Sequence, residues 1–307
     1  MRGFIFYIIL ISFSQLIHAR SADDDTMIIK KGFAAGKLSA EWKMALETRM
    51  STARIDSFAR LLRALTKEEL EWEKLIAAKA RYWNSFKDSL QQPFGKLPIS
   101  DTIYVMLGFM GSDDGFTFGL QTVCLDLTAL QSAYGDAQLP ENRERIDRIF
   151  SHEYTHLLHK LWAKRFSYVP RTYKDSIWWE CLYEGIGMYR SLNPKWLPVN
   201  NELPAITKRT LEKLVPILVD RLIRIETASN LSEGEKEQLH TNLSRGMVNQ
   251  KWGAFPVAIW LALEADENPG NLAKWIARGP SIISELAIRW LPEPEKERFT
   301  KIFFPYK

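Results

Sequence analysis

Across residues 142–162 apolar side chains recur at helical spacing, at Ile146, Ile149, Phe150, Leu157, Leu161 and Trp162, and the same run contains His152-Glu153-Tyr154-Thr155-His156. Residues four apart on a helix project from one face, so two imidazoles come within reach of a single cation. Glu153 sits one position round, where its carboxylate can touch a water on that cation without displacing it. The pattern therefore sets three things together: a helix, its partial burial, and a polar site along its flank. As a motif, HExxH is the signature of zinc hydrolases, with His152 and His156 as ligands of one Zn²⁺ and Glu153 as general base. Two helical histidines packed beside a core, or exposed, are the alternative reading.

A catalytic zinc takes three protein ligands and keeps one position for water, so two histidines are an incomplete set. Residues 176–189 read SIWWECLYEGIGMY, a second helical stretch with Asp175 or Ser176 as its expected cap and an end before Pro194. Glu184 is the expected third ligand. Gly185 and Gly187 each cost a helix about 1 kcal/mol relative to alanine, which marks a place where another backbone passes close, naturally that of the His152 helix. Glu180 lies one turn earlier on the same face, and spacing alone does not choose between the two glutamates. With Glu184 as ligand, Glu180 is left to orient a ligand histidine or to be solvated. His159 is nearly on the face of His152 but too far along the axis to share its ion, and is expected beside the site or in the cleft wall.

The HEYTH helix followed by WWECLYEGIGMY resembles the gluzincin clan of metallopeptidases, the thermolysin and membrane-alanyl-aminopeptidase type, whose third ligand is a glutamate in an NEGFA-like or EGxA-like run. The resemblance implies His152 and His156 as histidine ligands, Glu153 as general base and Glu184 as glutamate ligand. It covers residues 102–189, and it implies an edge strand before the active-site helix that holds an extended substrate. The whole pattern is closest to small bacterial gluzincin-like predicted proteases. Two features depart from the clan. The aspartate that many members carry four residues after the glutamate ligand is Met188 here, and the interval from His156 to Glu184 differs from that of the aminopeptidases. The aminopeptidase GAMEN-type run is also absent. The clan's glutamate leaves Cys181, one turn before Glu184, without a ligand role. An oxyanion donor, usually tyrosine or histidine in the clan, is implied as well, and Tyr183 and His240 are the candidates.

Residues 1–19 have one positive charge, an apolar run from Phe4 to Phe13 and a terminal Ala19, which reads as a secretory signal peptide cleaved after Ala19 or Ala22. The run is too short for a stable membrane span, and an uncleaved anchor is the alternative. Export makes a disulfide between Cys124 and Cys181 chemically open, and two buried thiols are equally compatible. A net charge of +4 spread over mixed-sign segments, without a basic block beside stacking aromatics, excludes nucleic acid as an expected partner.

The remaining pattern divides the chain into a helical segment at 20–95, a zincin-like core at 96–195 and a helical lobe at 196–307. In the first, Thr66 and Glu69 form a capping box, with Leu61, Leu62, Leu65, Leu70, Trp72 and Leu75 inward. In the second, residues 101–109 and 122–128 are strand-like, with a third short strand at 116–119 and Asp113-Asp114 in a turn rather than a calcium loop. In the third, helices are expected at 206–227, 232–243 and 252–264 and around Trp275 and Ile283. The expected fold is thus α+β, predominantly α, with a short sheet beside the HExxH helix. The expected function is an exported, periplasmic or extracellular, zinc-dependent peptidase with a peptide or protein substrate. A non-enzymatic zinc-stabilised binding protein and a zinc hydrolase of a non-peptide substrate are the alternatives; an intact Glu153 argues against the former, because a structural site has no use for a base.

Overall fold

The computed structural model describes residues 26–34, 37–60, 63–109 and 113–305. The expected signal peptide, and Leu61 and Leu62, lie outside the described residues. The described residues open with a strand that the sequence reading did not anticipate, β1 (Thr26–Lys31), followed by the short antiparallel pair β2 (Phe33–Ala34) and β3 (Lys37–Leu38). Three helices come next: α1 (Ala40–Glu47), α2 (Thr52–Arg60) and α3 (Lys67–Gln91). The capping box of Thr66 and Glu69 starts α3 as expected. Its buried stripe is Trp72, Ile76, Ala80, Trp83 and Leu90, whereas Leu70, expected inward, is 40% exposed.

The sheet holds β4 (Thr102–Gly108), β5 (Gly115–Phe118) and β6 (Thr122–Asp126) with β1, in the order β1-β4-β6-β5. β1, β4 and β6 are parallel, and β5 is an antiparallel edge. β6 stops at Asp126, two residues short of the expected strand, because the Asp126 carboxylate accepts from the Ala129 N–H at 2.7 Å and caps a helix, α4 (Leu127–Tyr134). The sheet alternates as a two-faced layer must. Ile103, Val105, Leu107, Val123 and Leu125 join the main core, while Met106, Phe116 and Cys124 pack on Trp42, Leu46 and Ile55. A Cβ at Gly108 would lie 2.1 Å from the Trp42 ring, so glycine lets α1 close on that second face.

The long helix α5 (Pro140–Arg165) carries the HExxH run. Pro140 in its first turn and Lys164 and Arg165 in its last match the preferences of helix ends. It is tied to α3 by stacked Trp83 and Phe150, 4.3 Å apart, and by Asp147, which accepts from Trp83 Nε1 at 2.7 Å and from Lys79 Nζ at 2.5 Å. α6 (Tyr173–Ser191) begins with a capping box of Thr172 and Asp175, so the cap lies earlier than the expected Asp175 or Ser176. Thr172 wins because its hydroxyl accepts from the Asp175 N–H while the Asp175 carboxylate accepts from the Thr172 N–H.

The rest is helical: α7 (Ala205–Thr227), α8 (Glu233–His240), α9 (Ala254–Glu267), α10 (Asn271–Ala277), α11 (Ile282–Trp290) and α12 (Glu293–Phe303), the last not anticipated. Every residue of α9 from Ala254 to Glu264 is buried, and the helix lies along α6. Glu264 at its end is a buried hub, accepting from Trp275 Nε1, Trp290 Nε1 and Arg289 Nε. The architecture is α+β, predominantly α, as the pattern of residues implies. Among the described residues no helix is long and apolar enough to cross a membrane.

Candidate metal centre

α5 and α6 meet at three side chains. His152 Nε2 and His156 Nε2 lie 2.9 Å apart, and Glu184 Oε2 lies 3.6 Å from the first and 3.7 Å from the second. Donors about 2.0–2.1 Å from a tetrahedral ion stand about 3.3 Å from one another. The triangle brackets that spacing, and its two nitrogens and one oxygen suit a borderline divalent metal. His152, Glu153 and His156 also bring ligand atoms within 4.8 Å of one another, a group that could hold a metal ion. Glu184 closes a triangle with the two Nε2 atoms, and Glu153 lies beside it.

The glycines of α6 explain how two helices come this close. A Cβ on Gly187 would meet His156 Cε1 at 2.9 Å and His152 Nε2 at 3.1 Å, so the α6 backbone runs directly under both imidazoles. Gly185 serves a different neighbour: a Cβ there would meet Val257 of α9 at 2.6 Å. The expectation that both glycines accommodate the His152 helix holds for Gly187 only.

Ser191 was not anticipated. Its hydroxyl lies 3.1 Å from His152 Nδ1 and donates to the Met188 carbonyl at 3.2 Å, so it accepts from Nδ1–H and leaves the Nε2 lone pair for a metal. Met188, one turn nearer on the same helix, has no side-chain polar atom that could do this. His156 Nδ1 is buried and has no hydrogen-bond partner in the protein.

Burial and mutual charge set the protonation tendency of each member. Burial opposes the charge on Glu184, but His156 and His152 beside it hold its carboxyl well below the usual range. Burial drives His156 down to about 4, against the pull of Glu184, so its ring is neutral at pH 7. His152 is shifted upward: burial and Lys251 oppose its charge, and Glu184 and Glu153 outweigh them. Burial, with Glu184 and Asp114 nearby, pushes Glu153 up to about 7 despite His152.

The triangle opens on a cavity of about 760 Å³ whose lining includes Glu153, Lys160, Tyr183 and the edge-strand residues Gly115 and Thr117. A Cβ on Gly115 would meet Glu153 Cγ at 3.0 Å, so the edge strand passes against Glu153. Lys160, four residues after His156, is a part-buried lysine whose ammonium donates to Thr117 Oγ1 at 2.5 Å. Helical spacing from His156 could have flagged it. Arg49, just after α1, reaches the same cavity and binds Asp113 at 2.7 Å; no local pattern announces it.

Glu180 does not orient a ligand histidine and is not left to solvent alone. It accepts from Ser244 Oγ at 2.6 Å and meets His240 Nε2 at 2.6 Å, because α8 and the segment after it cross its turn of α6. His240 is thereby engaged at the cavity rim. Tyr183 stacks on His156 with 3.9 Å between ring centres, and its hydroxyl bonds Thr117. His159 is fully buried among Phe94, Trp162, Trp179 and Tyr183, so it is a packing residue and not part of the cleft wall. Cys124 and Cys181 are both buried free thiols, and Cys181 lies against Gly253 rather than the triangle. Comparison of the chain with protein-family models, curated proteins and solved structures found no match in any of the three.

Competition titration with zinc as probe ion and a calibrated chelator checks the ligand set. Glu184→Gln is expected to lose nearly all affinity, Ser191→Ala to lose about 10 to 100-fold, and Glu180→Gln to stay close to wild type. A larger loss from Glu180→Gln would reverse the assignment of the third ligand.

His159 generates a separate expectation. Burial drives its pKa down to about 3, and neither ring nitrogen has a partner. The unfolded chain takes up a proton below about pH 6.5 that the folded chain refuses until about pH 3. This contribution is therefore whole above pH 6.5 and lost as pH falls through that window. The loss by pH 5 amounts to about 2 kcal/mol. In urea unfolding between pH 7 and pH 5, His159→Phe should keep its zinc and lose less stability than wild type; equal losses would show that the ring is solvated.

Proposed function

We propose that the protein is an exported zinc-dependent peptidase. The observation that carries this reading is the triangle of His152 Nε2, His156 Nε2 and Glu184 Oε2 with Glu153 alongside. The ligands would be His152, His156 and Glu184, one ion per chain. When bound, zinc supplies Lewis acidity that brings the pKa of a coordinated water towards neutrality and polarises a carbonyl.

The chain's own residues account for the remaining work. Glu153, buried at the cavity floor, takes a proton from the attacking water and returns it to the leaving amine. With a cation on the histidines its pKa would fall back from about 7, and the carboxylate would be ionised as a base. Ser191 holds His152 in the tautomer that presents Nε2. The edge strand β5 lies beside Glu153, and its Thr117 lines the cavity with Lys160, whose Nζ lies 3.4 Å from the Thr117 carbonyl. An extended peptide could add to such an edge through main-chain hydrogen bonds. Tyr183, on the His156 ring, and Lys160 are the groups placed to meet charge developing on a carbonyl oxygen.

Hydrolysis of a peptide library by the zinc-loaded protein, compared with Glu153→Gln, tests the reading. Cleavage by wild type that falls by at least about 100-fold in Glu153→Gln, with zinc retained, is expected. Zinc bound without cleavage of any peptide would favour a structural zinc protein or a non-peptide substrate.

Export rests on the apolar run before Ala19. Intact mass of protein from its native host should begin near Arg20 or Asp23, and soluble cytosolic protein beginning at Met1 would contradict it.

A further inference from the structure

A second cavity, of about 390 Å³, opens on the other flank of His152 and Glu153. It shares those two residues, Asp114 and Lys251 with the larger cavity, so the two form one groove past the metal triangle. Their charges differ. The larger has five carboxylates in its lining, at Asp113, Asp114, Glu153, Glu180 and Glu184, against four lysines and arginines. The smaller has Arg145, Arg148, Lys195 and Lys251 against Asp114 and Glu153 alone.

These cations are weakly committed to the protein. Among the described residues, no carboxylate lies within ion-pair distance of Lys195, Lys251 or Arg145. Arg145 instead lies over the Tyr134 ring, 4.4 Å from its centre, and bonds Asn142 Oδ1, a neutral acceptor. Arg148 reaches only Glu144, at 3.7 Å and on the exposed side. Of the two carboxylates, Asp114 already accepts from the Tyr134 hydroxyl, and Glu153 belongs to the centre. Four positive groups thus face a concave, partly desolvated space with little to neutralise them, where a carboxylate can take charge-assisted and bidentate hydrogen bonds. A divalent ion on the histidines adds to the same field.

We propose that this smaller cavity is a carboxylate subsite, which places an anionic group of the substrate on one defined side of the bond to be cut. The proposal rests on the peptidase reading for what the substrate is, and on the cavity's charge for where its acid goes. Two sources share the chemistry. A C-terminal α-carboxylate would make the protein an exopeptidase working from the C-terminus, and an acidic side chain would make it an endopeptidase selective for acidic residues.

Binding separates this proposal from catalysis. Zinc-loaded Glu153→Gln protein is titrated by fluorescence anisotropy with three labelled peptides of one neutral sequence: free C-terminus, C-terminal amide, and C-terminal amide with one internal glutamate moved through successive positions. At least one carboxylate-bearing peptide is expected to bind at least about 10-fold tighter than the neutral amide. That preference should fall to near unity when Lys195→Glu is added, with the fold checked by circular dichroism. Arg148→Gln in place of Lys195→Glu gives a second, independent reading of the same ratio. Preference for the free C-terminus identifies the α-carboxylate, and preference for the amidated glutamate peptide identifies a side chain. Equal affinity for all three peptides overturns the subsite, as does a preference that survives both substitutions. A preserved preference without hydrolysis by wild type would retire the peptidase reading and keep the subsite, whereas failure to bind any peptide would retire both.

Discussion

The close passage of α6 beneath two imidazoles is the constraint on which the centre depends. Gly187 leaves no room for even a methyl group between its backbone and the rings of His152 and His156. Only at that separation does Glu184, three residues earlier, reach within 3.7 Å of both Nε2 atoms. The approach is held from both sides. Gly185 admits Val257 of α9 on the far flank, and α5 is riveted to α3 through Trp83, Phe150 and Asp147. A helix that gives up about 1 kcal/mol at each glycine recovers it in packing that longer side chains would prevent.

This packing also sets the chemistry. Two histidines and two glutamates share a largely buried site, where each charge is costly unless another offsets it. His156 responds by staying neutral, Glu184 by staying ionised beside the histidines, and Glu153 by rising to about 7. A divalent cation among them would relieve the repulsion between Glu153 and Glu184 and use the lone pair that the neutral His156 ring presents. Ser191 completes the arrangement by fixing which nitrogen of His152 is free.

Much of this was legible in the residues themselves. The HExxH helix, the glutamate helix, three of the four sheet strands and most C-terminal helices follow local periodicity and cap chemistry, which are properties of neighbours in sequence. What escaped is non-local or weakly patterned. β1 is short and half-exposed, and only pairing with β4, over seventy residues away, makes it a strand. Asp126 reads as the continuation of a strand until its carboxylate is seen to cap α4. Glu180 reads as a partner for His152 or His156 because it shares a face with Glu184, and its engagement with His240 and Ser244 is set by α8 and the segment after it, sixty residues on. Ser191 and Arg49 carry no motif, and their roles come from where the chain returns.

The central claim is that three named atoms on two helices hold one zinc ion. Crystals of the full chain grown with zinc, measured for anomalous scattering above and below the zinc edge, test it most directly. The account predicts one strong peak about 2.0–2.2 Å from His152 Nε2, His156 Nε2 and a Glu184 carboxylate oxygen, with no zinc bond to Glu153. A peak held instead by Glu180 and His240, or no peak at the triangle in zinc-saturated crystals, would contradict it.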